Sequence, residues 1–196
     1  AVISVSTGHI ATHETGAIEA TGHKVITVFS PDGKLTPDHL KPVIAEHNDE
    51  HWVQPKLVYI TNSTEIGTVY RKAELQALRR FCDEHGLWLY LDGARLASGL
   101  MSAQSDLTIE DIAALTDAFY IGGTKIGAIA AEALVINNPA LKDDFRFSIK
   151  QKGALQAKGW LLGAQFLALF TDDLYFSLGK HLNSMAGQLA AFFTEQ

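Results

Sequence analysis

Short apolar runs alternate with helix-patterned stretches up to about residue 136, and this alternation restricts the fold more than any other feature of the chain. The runs are Val2 to Val5, Lys24 to Phe29, Leu57 to Ile60, Leu87 to Leu91, Phe119 to Gly122 and Ala131 to Ile136. Between them the pattern predicts helices over His13 to Thr21, closed by Gly22, and from Thr36-Pro37-Asp38 to about Glu46. In the second, an N-cap is followed by proline at the first helical position. Tyr70 to His85 carries Leu75, Leu78, Phe81 and Cys82 on one face and Gly86 as a stop. Thr108 to Asp111 reads as a capping box before a short helix ending near Thr116. Strands and helices in this order predict an α/β fold, a mostly parallel sheet with helices on both faces. Beyond Asn137-Asn138-Pro139 the chain reads as helix, including Ala154 to Phe170 and Leu174 to Phe193. The expected division is residues 1–145 as a large α/β unit and 146–196 as a helical segment.

Composition narrows the function. A net charge of -6 gives no electrostatic reason to expect nucleic acid or an anionic membrane as partner. The lone Cys82 excludes an intramolecular disulfide framework and fits a reducing compartment, so a cytoplasmic location is expected. Gly153 to Phe170 is apolar but contains Gln156, Lys158 and Gln165, which predicts a buried amphipathic helix and not a membrane span. Ala1 to Val5 has no basic region or cleavage site and looks like a strand under way. Both ends read as cut, which suggests a piece of a longer protein.

In α/β sheets the side chains at strand C-termini converge on the crevice where ligands bind. Leu91-Asp92-Gly93-Ala94-Arg95-Leu96 places a carboxylate and a guanidinium there, and Gly122-Gly123-Thr124-Lys125-Ile126-Gly127 places a lysine. An acid and a lysine together are what an enzyme using pyridoxal phosphate (PLP) needs, one for the pyridine nitrogen and one for the Schiff base. The apolar, glycine-rich setting of Lys125 predicts a desolvated amine that acts as a nucleophile; the plain alternative is a surface lysine in a turn. Its glycines do not make a phosphate-binding P-loop, because the four-residue gap and the Lys-Ser/Thr ending are absent. Asp92 needs a partner, either Arg95 or a protonated ring nitrogen, and could instead be a helix N-cap paired locally with Arg95. His9 and His13, with Glu14 adjacent, have helical spacing for a metal, although the order differs from His-Glu-x-x-His and no third ligand is evident. A histidine at a strand end can also stack on an aromatic cofactor, and His9 is placed for that. His23, His39, His47, His51, His85 and His181 read as solvated. Thr61 to Gly67 follows a strand and offers hydroxyls and an amide to the same crevice.

Taken together, these motifs resemble the threonine aldolase branch of the β-eliminating lyases, within the fold-type I PLP enzymes. The likeness runs from Gly8-His9-Ile10 and Glu14-Thr15-Gly16-Ala17, through Thr64 to Thr68 and Asp92 to Arg95, to Gly122 to Lys125 and Glu132 to Val135. It implies a PLP-dependent transferase-like large domain over 1–145, incomplete here, and a helical segment leading toward a small C-terminal domain. It implies that Lys125 binds the cofactor covalently, Asp92 pairs with the pyridinium nitrogen, and His9 stacks on the ring. Arg95 would lie near the phenolic oxygen and the substrate, and Lys150-Gln151-Lys152-Gly153 near the cofactor phosphate, in a homo-oligomer. The implied reaction is cleavage of a β-hydroxy-α-amino acid to glycine and an aldehyde, with His9 or His13 as base, since imidazoles titrate near neutral pH. The family's phosphate-gripping loop and its carboxylate-binding arginine have no counterpart among these residues. Alternatives are another PLP-dependent lyase or aminotransferase on the same fold, a truncated non-catalytic remnant, and a metal-dependent hydrolase.

Overall fold

Parallel strands need a crossover that carries the chain back, usually a helix, whereas a short connection can only return antiparallel. Both cases occur in the computed structural model, which describes residues 1–194. Strands β1 (Val2–Val5), β2 (Val25–Val28), β3 (Leu57–Thr61), β4 (Trp88–Asp92), β5 (Ala118–Ile121) and β6 (Ala133–Ile136) form one sheet in the order β2-β1-β3-β4-β5-β6. All pair in parallel except β5 and β6, where Ala118 faces Ile136 and Ile121 faces Ala133. The link between those two contains only a 3-10 turn, Thr124–Ile126, so β6 must run back along β5. The strand order reverses at β1, which opens the crevice between the C-terminal ends of β1 and β3.

The helices are α1 (His9–Thr12), α2 (Pro37–Glu46), α3 (Lys72–His85), α4 (Leu96–Leu100), α5 (Ile109–Leu115), α6 (Phe145–Gln151), α7 (Trp160–Phe170) and α8 (Leu174–Thr194). Thr108 caps α5 through reciprocal bonds with Asp111, Thr36 stands at the N-cap of α2 with its N–H donating to His39 Nδ1 at 3.2 Å, and left-handed Gly86 ends α3. Alternate residues of a strand face opposite sides. Leu89 and Leu91 of β4 are fully buried, in one core with Leu40 of α2, Leu75, Leu78 and Cys82 of α3, and Ile112 of α5. Each such leucine contributes about 2 kcal/mol, so this layer carries the fold. The other face is more thinly covered. There Tyr59 and Tyr90 stack with centroids 5.8 Å apart. Leu96 and Ala97 of α4 and Tyr175 of α8 join the core of Leu89 and Leu91, and α8 crosses α4 closely enough that a Cβ on Gly179 would lie 2.6 Å from the Ala97 carbonyl oxygen.

Several local expectations change. His13 to Thr21 is not one helix: α1 stops at Thr12, Thr15 and Gly16 take left-handed backbone, and only Glu19–Thr21 forms a 3-10 turn. The stretch from Ala154 to Phe170 begins its helix at Trp160, while α6 lies before it and ends at a left-handed Gly153. α7 is not buried; Leu169 alone is, and Trp160 and Leu167 are 68% and 73% exposed. The short α4 was not foreseen, because five residues carry no readable period. His47 is buried, its Nδ1 2.9 Å from the Val43 carbonyl oxygen and its ring edge-on to Trp52. Among the described residues no helix is long and apolar enough to cross a membrane. Residues 195–196, the end of the expected helical segment, lie outside the described residues.

Candidate active site

The two glycine-containing motifs meet through backbone. The Gly122 N–H donates to the Gly93 carbonyl at 2.9 Å, and a Cβ on Gly122 would sit 2.3 Å from the Ala94 oxygen. Only glycine permits this approach, and it brings the end of β5 against the turn after β4. Beside the junction opens a cavity of about 240 Å³, lined by His9, Glu14, Thr61, Ser63, Glu65, Tyr90, Asp92, Ala94, Arg95, Tyr120 and Lys125. His9, Asp92, Arg95 and Lys125 are thus brought together; His13 is not.

Asp92 ends β4 on the face that also carries Tyr90. Its Oδ1 accepts the Ala94 N–H at 2.8 Å and its Oδ2 accepts the Tyr59 hydroxyl at 2.6 Å. The alternative, a local pairing of Asp92 with Arg95, does not form among the described residues: Arg95 stands exposed at the N-terminus of α4. The reason is geometric, since the Asx-type turn to Ala94 claims one oxygen and the neighbouring strand supplies a hydroxyl to the other. Burial, followed by the charge of Asp92, pushes the Tyr59 phenol far above its ordinary range, so it remains a donor. Tyr59 is not among the residues lining this cavity; it lines the neighbouring one with His9, Glu14, Tyr90 and Asp92.

Lys125 lies in the 3-10 turn, between Thr124 and a buried Ile126. It reaches the cavity but is exposed, so the expected desolvation is absent from this chain. The apolar neighbours that suggested it, Ile126 and Ala128, pack into the core with Leu169 and Tyr175 instead. Glu132, just before β6, holds the turn. Its carboxylate accepts the Gly123 N–H at 2.6 Å, the Thr124 N–H at 3.2 Å and the Thr124 hydroxyl. Burial pushes this carboxyl up, but the bonds from Thr124, Gly123 and Tyr120 outweigh it and hold it below the usual range.

His9 is the first residue of α1. Its Nε2 lies 2.6 Å from Glu14 Oε1, and its backbone N–H donates to Glu65 Oε1 at 3.0 Å. Glu65 Oε2 accepts the Thr61 hydroxyl at 2.9 Å, tying the loop after β3 to α1. His13 stacks on His9 with centroids 5.3 Å apart, but it is exposed and its Nδ1 bonds to Thr12. Stacked rings do not converge on one point, so His9, His13 and Glu14 do not form a three-ligand group; Asp49, Glu50 and His51 do, on an exposed loop. Within the loop after β3, Asn62 is buried and accepts the Tyr70 N–H at 3.1 Å, a structural bond. Lys150 to Gly153, at the end of α6, are not among the residues lining the cavity.

Sequence reading gave Tyr59 and Tyr120 no role beyond their strands, and named Glu65 and Glu132 only as parts of motifs. Tyr59 shares the strand parity of Thr61, whose register partner is Asp92, so strand pairing was the signal that would have found it. The donor set fits PLP at its ring end. An amine for the aldehyde carbon, a carboxylate held by two donors for the ring nitrogen, and an imidazole for the ring face all reach one cavity.

A family model described as Beta-eliminating lyase matches residues 1–195. The chain is 36% identical over 199 residues to a low specificity L-threonine aldolase of Pseudomonas sp., covering 99% of this chain and 57% of that one. It superposes on a Leishmania major threonine aldolase structure with a TM-score of 0.96 and 59% identity, covering 97% of this chain and 56% of that one. A PLP-dependent aminotransferase from Streptococcus suis shares the fold alone, with a TM-score of 0.73 and 17% identity over 100% of this chain and 50% of that one. The chain therefore spans about half the length of the relatives it matches.

Proposed function

The chain belongs to the beta-eliminating lyase family, and from that premise we propose that its protein is a PLP-dependent aldolase cleaving β-hydroxy-α-amino acids, such as threonine or allo-threonine, to glycine and an aldehyde. The observation that carries the reading is that Lys125 and Asp92, from different strand ends, line one cavity beside His9. Residues 1–145 are read as the PLP-binding part of a large domain, and 146–196 as a helical segment, in a homo-oligomer. A cytoplasmic location rests on the lone, buried Cys82.

When bound, PLP supplies an electron sink for the pair released as the Cα–Cβ bond breaks. Lys125 would hold its aldehyde carbon and Asp92 its ring nitrogen. Asp92 is suited to that because Tyr59 and the Ala94 N–H orient it, because it keeps acceptor capacity beyond those two bonds, and because it lines the cavity. Glu14, at 2.6 Å from Nε2, fixes the His9 tautomer with its proton there. Nδ1 is then left to take the β-hydroxyl proton. Arg95 offers charge-assisted bonds to anionic groups of the substrate or cofactor. His13, outside the cavity, has no part in this scheme.

Supplying PLP and L-threonine or L-allo-threonine to the full-length protein tests the reading. Equal amounts of glycine and acetaldehyde are expected, with absorbance near about 420 nm, and both lost in Lys125→Ala. Ammonia with 2-oxobutanoate would mark an eliminating lyase instead. Amino transfer to a 2-oxo acid would mark an aminotransferase, and no absorbance would mark a non-catalytic remnant.

A further inference from the structure

A turn that presents a reactive side chain needs its first amides paired, because the opening N–H groups of a helical turn have no partner within it. In the turn carrying Lys125 these are the N–H groups of Gly123 and Thr124, and neither is satisfied locally. Both go to Glu132, at 2.6 and 3.2 Å, and they go to different oxygens, Oε2 and Oε1. The Thr124 hydroxyl reaches Oε1 as well. Three donors from two consecutive residues therefore meet on one side chain, that of the residue just before the strand that returns beside them. The neighbouring backbone has no slack: a Cβ on Gly123 would lie 2.1 Å from the Ala131 carbonyl oxygen. Lys125 itself is exposed and lines the cavity, so its direction follows the turn that carries it.

We propose that Glu132 is the positioning residue of Lys125, its carboxylate clamping the Gly123–Thr124 turn so that the amine is aimed into the cavity. This rests on the reading of Lys125 as the residue that binds PLP. A carboxylate is required because both oxygens accept. In Glu132→Gln one oxygen becomes an amide nitrogen, which faces an N–H donor and cannot accept from it. Aspartate is too short to span the same gap without moving the turn.

The test is the rate at which the full-length protein, stripped of cofactor, attaches added PLP to Lys125. Borohydride adds hydride across the new carbon–nitrogen double bond and leaves a stable secondary amine, which peptide mass mapping counts at Lys125. Per folded molecule, Glu132→Ala is expected to slow attachment about tenfold or more, as a displaced reacting group does, and Glu132→Gln about threefold on the same ground. A residue that merely supports the fold would lower the melting temperature and leave this rate unmoved. Wild-type rates in both folded variants overturn the proposal. If Glu132→Ala does not fold, Glu132→Gln decides alone, a wild-type rate again overturning it. A wild-type protein that acquires no label at Lys125 instead overturns the reading of Lys125 itself, and the clamp's role with it.

Discussion

The two ends of the sheet each hold an aspartate, and they treat it differently. At the N-terminal end Asp117, just before β5, is 7% exposed. It accepts from Arg79 Nη1 at 2.7 Å, the Leu89 N–H at 2.7 Å and Asn138 Nδ2 at 2.8 Å. Every donor comes from the protein, and Arg79 is further held by Asp83 at 2.8 Å. At the C-terminal end Asp92 takes two donors, from Tyr59 and from its own turn, and lines the cavity. A carboxylate surrounded by protein donors is a brace between α3, β4 and the loop after β6; one left partly open can receive a ligand's proton donor. The contrast is one of arrangement, since residue type and position beside a strand are the same.

Exchanging each aspartate for asparagine should separate the two roles. Asp92→Asn is expected to lower aldol cleavage by about 10² to 10³, the scale on which a single electrostatic group acts on a developing charge, while chemical denaturation finds a loss of only about 1 kcal/mol, because the amide keeps one of the two acceptors. Equal activity in that variant would erase the distinction between the ends.

Asp117→Asn should do the reverse. It is expected to cost about 2 kcal/mol, the scale of charged hydrogen bonds lost, and to leave cleavage per folded molecule intact. Burial alone would raise the Asp117 pKa, but the bonds from Asn138, Leu89 and Arg79 hold it below its ordinary 3.8. Its contribution is therefore fully present above about pH 4, the unfolded value, and is lost as pH falls through the lower folded value. Unfolding curves taken down that range should show wild type losing stability faster than Asp117→Asn. Parallel curves would remove the brace.

The smallest effect belongs to Tyr59→Phe, which leaves one oxygen of Asp92 without its donor. About 1 kcal/mol of stability is at stake, with a few-fold loss of cleavage on the same scale. A variant that loses stability but no activity would make Tyr59 part of the core rather than part of the site.

Much of this was legible along the chain. The capping of α2 and α5, the buried face of α3 and its glycine stop depend on residues within one or two turns of each other, and they stand where the spacing put them. So do the strand ends that carry Asp92 and Lys125. Expectations failed where a neighbour in space outweighed a neighbour in sequence. His13 looked equivalent to His9, yet the left-handed turn at Thr15–Gly16 leaves Glu14 on His9 and His13 in solvent. The setting of Lys125 looked apolar, but its apolar neighbours turn away from it into the core.

The α/β alternation, the mostly parallel sheet and the two motifs after its strands can be read along the chain, because hydrophobic period, caps and glycine stops act over a few residues. Only the tertiary structure decided which groups answer one another across strands: Tyr59 rather than Arg95 for Asp92, Glu132 for the turn of Lys125, Glu14 for His9. Those choices depend on register and on which backbone can approach which, and no local pattern carries that information.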